Sequence, residues 1–367
     1  MKSESGRMRA QMSRLPTNLN LNKRSSTVDL GAAGEGLNLT ASSLSRGGLI
    51  LGVLLLATVI FVVKNIGEER QFAALLTKAE PGWLLVGLIC QAGTYLCAAG
   101  VWCLTLNRSG ENVSLLSLAP LGVAKLFIDQ IIPTAGVGGS LLVVRGLVRR
   151  GAPRRLATAA LLIDILSFYG AHALAVAIAI VILWLRQELH PIVLVLATVF
   201  SVVAVVVPLA ILWLTRRAEP HLPGWIERLP GVNRLLANVA DAPREVLRDR
   251  QLFWQATLLQ FAIFTLDAAT LDCMLRAIGH PSRPDAVFAS FSMAVVAATV
   301  SLIPRGLGVF EGSSVMMLRF LNIPIEVALA ATLLLRAYSL WLPMIPGLLI
   351  TKRENLRGHN GSGAGLS

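Results

Sequence analysis

Charged residues are scarce in this sequence. Only 15% of its 367 residues are charged, whereas about 25% is usual for a soluble domain. By contrast, 54% are hydrophobic, and the mean hydropathy is +0.66. This composition excludes a soluble globular enzyme, a disordered chain and a fibrous protein, because so apolar a chain needs lipid as its solvent.

Cysteine, histidine and acidic residues are also few. The four cysteines form no CxxC pair and the five histidines no HExxH motif, so we predict neither a metal site nor a cofactor. The 33 Lys and Arg outnumber the 21 Asp and Glu. No basic stretch is interleaved with stacking aromatics, so cytosolic membrane loops explain this excess better than binding to nucleic acid does.

Long apolar runs are what the sequence does contain. They are continuous, whereas the strands of a membrane barrel alternate in polarity, so we predict transmembrane helices. The six runs are residues 47–63, 82–106, 156–185, 191–214, 252–275 and 325–350. Around them we predict a disordered basic cytosolic tail over 1–46, a transmembrane domain over 47–350 and a cytosolic C-terminal tail over 351–367.

Two further apolar regions, 113–150 and 285–323, are interrupted by proline and glycine. The breaks contain Pro133, Gly136, Gly138 and Gly139 in the first region and Pro304, Gly306 and Gly308 in the second. The arm after each break has about ten residues, roughly 15 Å at helical rise and half of a bilayer. We therefore predict two re-entrant helical hairpins beside six full helices, giving eight membrane segments in an all-α polytopic protein.

The positions of Lys and Arg indicate the orientation in the membrane. If the first broken region crossed the membrane completely, Arg145, Arg149 and Arg150 would be external, against the positive-inside rule. A re-entrant hairpin keeps them in the cytosol together with both termini. The cytosolic segments then hold 23 Lys and Arg, and the external segments hold seven.

The two interrupted regions align without gaps at one constant offset, the one that carries Pro133 onto Pro304 (the repeat offset), and they belong to two halves of the domain, 47–185 and 191–350. The other matched pairs include Trp83 and Trp254, Ile132 and Ile303, Leu147 and Leu318, and Pro153 and Pro324. In the predicted topology the matched segments run in opposite directions, so the repeat is inverted, as in many secondary transporters. The alternative is that the two breaks are ordinary helix–helix turns outside the membrane.

Ionisable side chains inside the apolar segments are candidates for function, because burying one in lipid costs at least about 2.5–3.5 kcal/mol. They are Lys125, Asp129, Asp164, Asp267, Asp272, Arg305, Glu311 and Arg336. Lys125 and Asp129 are four residues apart, so they could simply pair with each other on one helix.

Arginine suits a lipid phosphate because its planar guanidinium binds two oxygens at once. We therefore predict that Arg305, Arg336 and Arg145 bind the head group of a lipid. Glu311 would pair with Arg336 in the empty state or accept a cationic group. Asp164 would be its counterpart in the first half or carry a coupling proton.

Four of these features resemble the flippase-like family, which comprises the transmembrane region of lysylphosphatidylglycerol synthase and its stand-alone relatives. They are the segment from Pro133 to Arg145, the Ala-rich helix with Asp164, the motif from Pro304 to Glu311, and Arg336. The resemblance implies a multi-pass protein of the bacterial inner membrane that moves a lipid across the bilayer. The family often has Asp-Arg where this chain has Asp164-Ile165, so one expected charge is missing.

The leading functional hypothesis is thus a lipid flippase whose substrate carries a polar head group, with an anionic phosphate expected. Only 17 residues follow Ile350, so we expect the synthase's aminoacyl-transferring domain, and with it enzymatic activity, to be absent. Two alternatives stay open. One is a lipid-linked transferase, which would need a donor site. The other is a non-transporting protein that binds an enzyme of lipid biosynthesis.

Overall fold

A computed structural model of the chain describes residues 79–131, 137–187, 191–216, 243–301, 306–343 and 346. The helices are α1 (Pro81–Arg108), α2 (Leu115–Ile131), α3 (Val137–Arg149), α4 (Arg154–Leu185), α5 (Pro191–Arg216), α6 (Arg244–Arg248), α7 (Arg250–Ala277), α8 (Pro284–Val300), α9 (Val309–Phe320) and α10 (Ile325–Arg336). These ranges contain no strand, so the predicted all-α class is confirmed for them. The predicted tails and the first predicted span, 47–63, lie outside the described residues.

Within the described ranges, four helices are long and apolar enough to cross a membrane, namely α1, α4, α5 and α7. They coincide with four of the six spans expected from the sequence. The expected span at 325–350 begins as α10 and continues into a π-helical turn at Ala337–Trp341. Beyond that turn only residues 342, 343 and 346 are described.

The matched helices α1 and α7 pack against each other in antiparallel orientation. At one end, the backbone N–H of Glu80 donates to the carbonyl of Ala277 over 2.8 Å. At the other end, Arg108 Nη1 lies 3.1 Å from Asp249 Oδ2. Since these helices are related by the repeat offset, the segments matched in sequence do run in opposite directions here.

Alanine lines the contacts of α4 and α10 with the rest of the bundle. The fully buried alanines of α4 include Ala157, Ala159 and Ala160, and their matches at the repeat offset, Ala328, Ala330 and Ala331, are fully buried in α10. Lipid tails are as apolar as the helices, so helices in a membrane associate through close van der Waals packing rather than through the hydrophobic effect. Small side chains allow the helix backbones to approach closely enough for this packing. The alanine matches therefore reflect equivalent packing positions.

The turns that lead into α4 and α10 also share their backbone hydrogen bonds. In the first turn, the backbone N–H groups of Arg150, Gly151, Ala152 and Ala157 donate to the carbonyls of Leu147, Val148, Leu147 and Pro153, respectively. In the second turn, those of Leu321, Asn322, Ile323 and Ala328 donate to the carbonyls of Leu318, Arg319, Leu318 and Pro324, respectively. Each turn contains one residue with positive φ, Gly151 at 95° and Asn322 at 62°. Every member of one set is related to its counterpart by the repeat offset, so local geometry repeats along with sequence.

The interrupted regions fold as two pairs of packed helices, α2 with α3 and α8 with α9. Their first arms have 17 residues each, and their second arms have 13 and 12, somewhat more than the ten expected. Arg150 Nε donates to the carbonyl of Ser117 over 3.0 Å, so the end of α3 meets the start of α2.

The second pair begins at the opposite end of the bundle from the first. Short turns place the start of α2 beside Arg108 and the start of α8 beside the end of α7. Arg186, just after α4, contacts Asp285 in the first turn of α8. Phe320, at the end of α9, shares a small groove with Leu183, so α9 returns to the end from which α8 starts.

Candidate functional site

An ion pair between Arg336 and Glu311 lies in the second half of the bundle. Arg336 Nε is 2.6 Å from Glu311 Oε1, and the two side chains are only 13% and 16% exposed. The guanidinium carbon also lies 4.0 Å from the centroid of the Phe310 ring. A cation over an aromatic face gains about 0.5–2 kcal/mol, so the ring supports the arginine in a position where little water reaches it.

A glycine turn holds Glu311 at the start of α9. Gly306 and Gly308 have φ values of 60° and 82°, which favour glycine over other residues. Gly306 is also buried against α8, where an added Cβ would lie 2.4 Å from that of Ala298. The backbone N–H of Gly308 donates to Glu311 Oε2 over 2.7 Å. Both oxygens of this carboxylate are therefore occupied, one by the backbone and one by Arg336.

A buried hydrogen bond continues this polar contact between α9 and α10. The hydroxyl oxygens of Ser314 and Thr332 are 3.0 Å apart, and both residues are fully buried. Ser314 is three residues after Glu311 and Thr332 is four before Arg336, so each lies on the same face of its helix as the charged partner. The hydroxyl pair holds the two helices in register beside the ion pair.

A second buried ion pair lies in the first half, between Lys125 on α2 and Asp164 on α4. Lys125 Nζ is 3.0 Å from Asp164 Oδ2, and the aspartate side chain is only 7% exposed. The sequence also suggested that Lys125 could pair with Asp129, whose side chain is not among those described. The partner at Asp164 lies 39 residues away, and only helix packing brings the two together.

Gln260 on α7 binds the other oxygen of Asp164. Its Nε2 donates to Asp164 Oδ1 over 2.7 Å, and the glutamine is buried. The indole ring of Trp102 on α1 lies 5.8 Å from Lys125 Nζ and is fully buried. Sequence reasoning missed Gln260, although a polar amide inside the long apolar run at 252–275 was the available signal. Its bond to Asp164 joins a helix of the second half to one of the first.

The two ion pairs occupy similar depths along matched helices. Asp164 lies ten residues after the start of α4, and Arg336 lies eleven after the start of α10. At helical rise these steps span about 15 to 17 Å, half of a hydrocarbon core of roughly 30 Å. At the repeat offset Asp164 matches Leu335, which precedes Arg336.

The remaining predicted site residues divide into described and undescribed ones. Gly139 lies buried in the first turn of α3, Gly138 lies beside it, and the Arg145 side chain is exposed on the same helix. The predictions that fall outside the described residues are Arg305, Pro133, Gly136 and Pro304. The structure thus brings Glu311 and Arg336 together, and places Asp164 in a separate cluster.

Two other carboxylates that the sequence places inside an apolar segment, Asp267 and Asp272, lie on α7. Asp272 Oδ2 lies 2.7 Å from Arg276 Nε, and Asp272 also accepts a hydrogen bond from the Ser282 hydroxyl. Asp272 thus links the end of α7 to the segment that follows it. In the described parts of the chain, no group of three or more His, Cys, Asp and Glu residues is arranged to hold a metal ion.

Comparison with known proteins supports the resemblance seen in the sequence. A family model described as the lysylphosphatidylglycerol synthase TM region matches residues 49–347. A UPF0104 membrane protein of Pyrococcus horikoshii is 23% identical over 330 residues, which cover 84% of this chain and 97% of that protein. A UPF0104 membrane protein of Methanothermobacter thermautotrophicus is 22% identical over 312 residues, covering 80% and 90%. Both of these relatives are archaeal.

Proposed function

The chain belongs to the family defined by the transmembrane region of lysylphosphatidylglycerol synthase, and on this basis we propose that it is a lipid flippase. The substrate is a membrane lipid with a polar head group that carries an anionic phosphate. Its head group crosses the bilayer inside the protein while its acyl chains stay in lipid. The protein acts in the cytoplasmic membrane as a transporter without catalysing a reaction, and an enzyme of lipid biosynthesis is the expected partner.

The proposed architecture is an inverted repeat of two halves. The antiparallel packing of α1 and α7, the repeated turns and the buried alanines at one offset all support it. In this arrangement α2 with α3 and α8 with α9 are re-entrant hairpins that open toward opposite faces of the membrane, with both termini in the cytosol. Their broken tips meet near the midplane, as in other transporters with inverted repeats.

The Arg336–Glu311 ion pair is the observation that carries the proposal. A buried ion pair contributes little net stability, because desolvation offsets the attraction, so its presence in an apolar bundle calls for another explanation. Glu311 lies in the first turn of α9, directly after a glycine turn whose backbone fixes its carboxylate, and Arg336 is the last residue of α10. Such a site lets one partner be exchanged for a ligand without unfolding the helices around it.

The exchange that we propose replaces Glu311 by the lipid phosphate. Arg336 offers two parallel N–H donors to phosphate oxygens, a stronger match than a single lysine ammonium. Glu311 keeps its bond to the Gly308 N–H and can accept an amine of the head group. In the empty state the same carboxylate neutralises Arg336, so the guanidinium has an anionic partner both with and without lipid. Arg305 and Arg145 extend the site for the phosphate.

A translocation assay tests this proposal. The purified full chain is reconstituted into liposomes that contain a fluorescent phosphatidylglycerol, and a membrane-impermeant reagent reports lipid that reaches the outer leaflet. We expect the wild type to expose the label in the inner leaflet and Arg336→Ala to lose at least tenfold in rate.

The control is Arg319→Ala, which removes an exposed arginine from the last turn of α9, outside the ion pair. It should retain the wild-type rate. Equal rates for Arg336→Ala and Arg319→Ala would refute the role of the ion pair, and a wild type no faster than empty liposomes would refute transport itself.

A further inference from the structure

The cluster of Lys125, Asp164 and Gln260 is built differently from the Arg336–Glu311 pair. Three helices supply it, α2, α4 and α7, and its carboxylate is more deeply buried than that of Glu311. Lys125 is the more accessible member, with a side chain 26% exposed against 7% for Asp164. An anion that approaches the cluster therefore meets the ammonium group first.

Charge balance links the binding of an anion at this cluster to the binding of a proton. The pair of Lys125 and Asp164 is neutral as it stands, and a lipid phosphate that joined it would add a negative charge beside a carboxylate. Conversely, a proton that bound Asp164 alone would remove the negative charge that lies 3.0 Å from the lysine ammonium at membrane depth, which is also unfavourable. Either event alone is costly, while both together keep the cluster neutral. Two binding events that favour each other in this way are thermodynamically linked.

From this we infer that the Lys125–Asp164–Gln260 cluster is a proton-binding site that couples the uptake of one proton to the binding of one anionic lipid phosphate. The inference rests on the proposed function and adds the ion with which transport is coupled. The proton comes from water and binds Asp164 Oδ2, which gives up its ion pair with Lys125. Lys125 stays protonated and binds the phosphate. Gln260 continues to donate to Oδ1, now the carbonyl oxygen of the neutral acid.

The surroundings of Asp164 leave Lys125 as the charged residue in contact with it among the described side chains. Ser167 donates to the Asp164 backbone carbonyl, and Trp102 lies beside Lys125. Among the described side chains, the charged residues on the other elements that pack on α4 are Arg108 on α1, Arg145 and Arg149 on α3, Glu245 and Arg248 on α6, Arg250, Asp267, Asp272 and Arg276 on α7, and Asp285 on α8. Arg108, Asp272 and Asp285 have partners of their own, and Arg145, Arg149, Glu245 and Arg248 are exposed.

A binding experiment tests the inference apart from transport. Dihexanoyl phosphatidylglycerol, whose phosphodiester does not titrate near neutral pH, is added to the full chain in neutral detergent, and binding is measured between pH 5.5 and 8.5. In the coupled range we expect the wild-type Kd to rise up to tenfold per pH unit, as one linked proton requires. In a weakly buffered solution with a pH indicator, each lipid bound should remove close to one proton.

Variants assign the proton to a residue. Asp164→Asn keeps an acceptor for Gln260 and imitates the neutral acid, so it should bind lipid with a Kd that is independent of pH, without proton uptake. Glu245→Gln should keep the wild-type pH slope, because its carboxyl group lies on the exposed face of α6. The double variant Lys125→Gln with Asp164→Asn loses both charges together, which protects folding, and should bind at least tenfold more weakly at every pH.

The outcomes separate the two proposals. Lipid-dependent proton uptake that is present in the wild type and absent from Asp164→Asn supports the coupling site. Binding or translocation by the wild type without proton uptake, or equal uptake by Asp164→Asn, overturns the coupling site and leaves the flippase proposal standing. A wild type that neither binds nor moves the lipid overturns both.

Discussion

The strongest stability prediction concerns the ion pair of Arg336 and Glu311. Replacing Glu311 by Leu leaves a guanidinium that is only 13% exposed without its carboxylate, and replacing Arg336 by Leu leaves a carboxylate 16% exposed without its cation. Removing one partner of a buried ion pair typically costs about 3–5 kcal/mol. Removing both together restores neutrality, so the double variant should lie within about 1 kcal/mol of the wild type.

This contrast can be measured as a double-mutant cycle. Equilibrium unfolding of the purified chain in mixed micelles, at increasing fractions of a denaturing detergent, is followed by tryptophan fluorescence. Each single variant should unfold at a lower fraction, and the double variant should recover most of the difference, for a coupling of about 5 kcal/mol or more. The exposed Arg319→Leu should shift the free energy of unfolding by no more than about 0.5 kcal/mol.

Additive costs of the two single changes would refute this reasoning, because they would mean that the two groups do not sense each other. The double variant also separates stability from transport. It should fold as the wild type does and yet fail to translocate lipid, since it has no group for the phosphate. A double variant that is both stable and active would show that the pair is not a head-group site.

Three further predictions concern single positions. Gly306→Ala should destabilise the protein by more than Gly308→Ala in the same unfolding assay, because both need positive φ but only Gly306 has a Cβ position in contact with Ala298; equal effects would contradict this. His172→Phe should leave stability unchanged or raise it, because neither ring nitrogen has a hydrogen-bond partner among the described residues while Phe200 and Phe264 stack on the ring; a loss above about 1 kcal/mol would reveal a missed partner. The pKa of Asp249 is lowered, chiefly by the backbone N–H of Leu252 and also by Arg108. The contribution of its charge to folding stability is therefore complete above the unfolded pKa of about 4 and disappears as the pH falls through the lower folded pKa. Asp249→Ala should therefore cost about 0.5–2 kcal/mol at neutral pH and less at pH 3, whereas a cost independent of pH would exclude a role for the charge.

The positions of helices were the part of the fold that the sequence revealed most directly. The runs at 82–106, 156–185, 191–214 and 252–275 became α1, α4, α5 and α7 with ends shifted by only a few residues. Apolar length is a local property, and in lipid every backbone group must be bonded within its own segment, so such a run has few alternatives to a helix. Proline and glycine likewise signalled where α10 would begin and where the turn before α9 would lie.

The sequence could not identify all of the side chains that contact each candidate residue. Glu311 and Arg336 could be singled out, because a carboxylate beside a glycine turn and an arginine in an apolar helix are conspicuous, and the structure pairs them. The suggested pairing of Lys125 with Asp129 stays a prediction, because the Asp129 side chain lies outside the described part of the chain. It did not include Asp164, since spacing along one helix says nothing about what a neighbouring helix presents. Gln260 was overlooked for the same reason, as an uncharged amide stands out only when its acceptor is known.

By itself, the sequence determined that this protein is a helical membrane protein. It also located two interrupted segments one repeat offset apart and several ionisable side chains inside the apolar runs. These conclusions follow from composition and periodicity, which act over a few turns of chain. Only the tertiary structure decided that matched helices α1 and α7 are antiparallel, and that Asp164 joins α2, α4 and α7. Contacts between residues 39 and 96 positions apart depend on how helix faces pack, and packing is settled by the whole bundle at once.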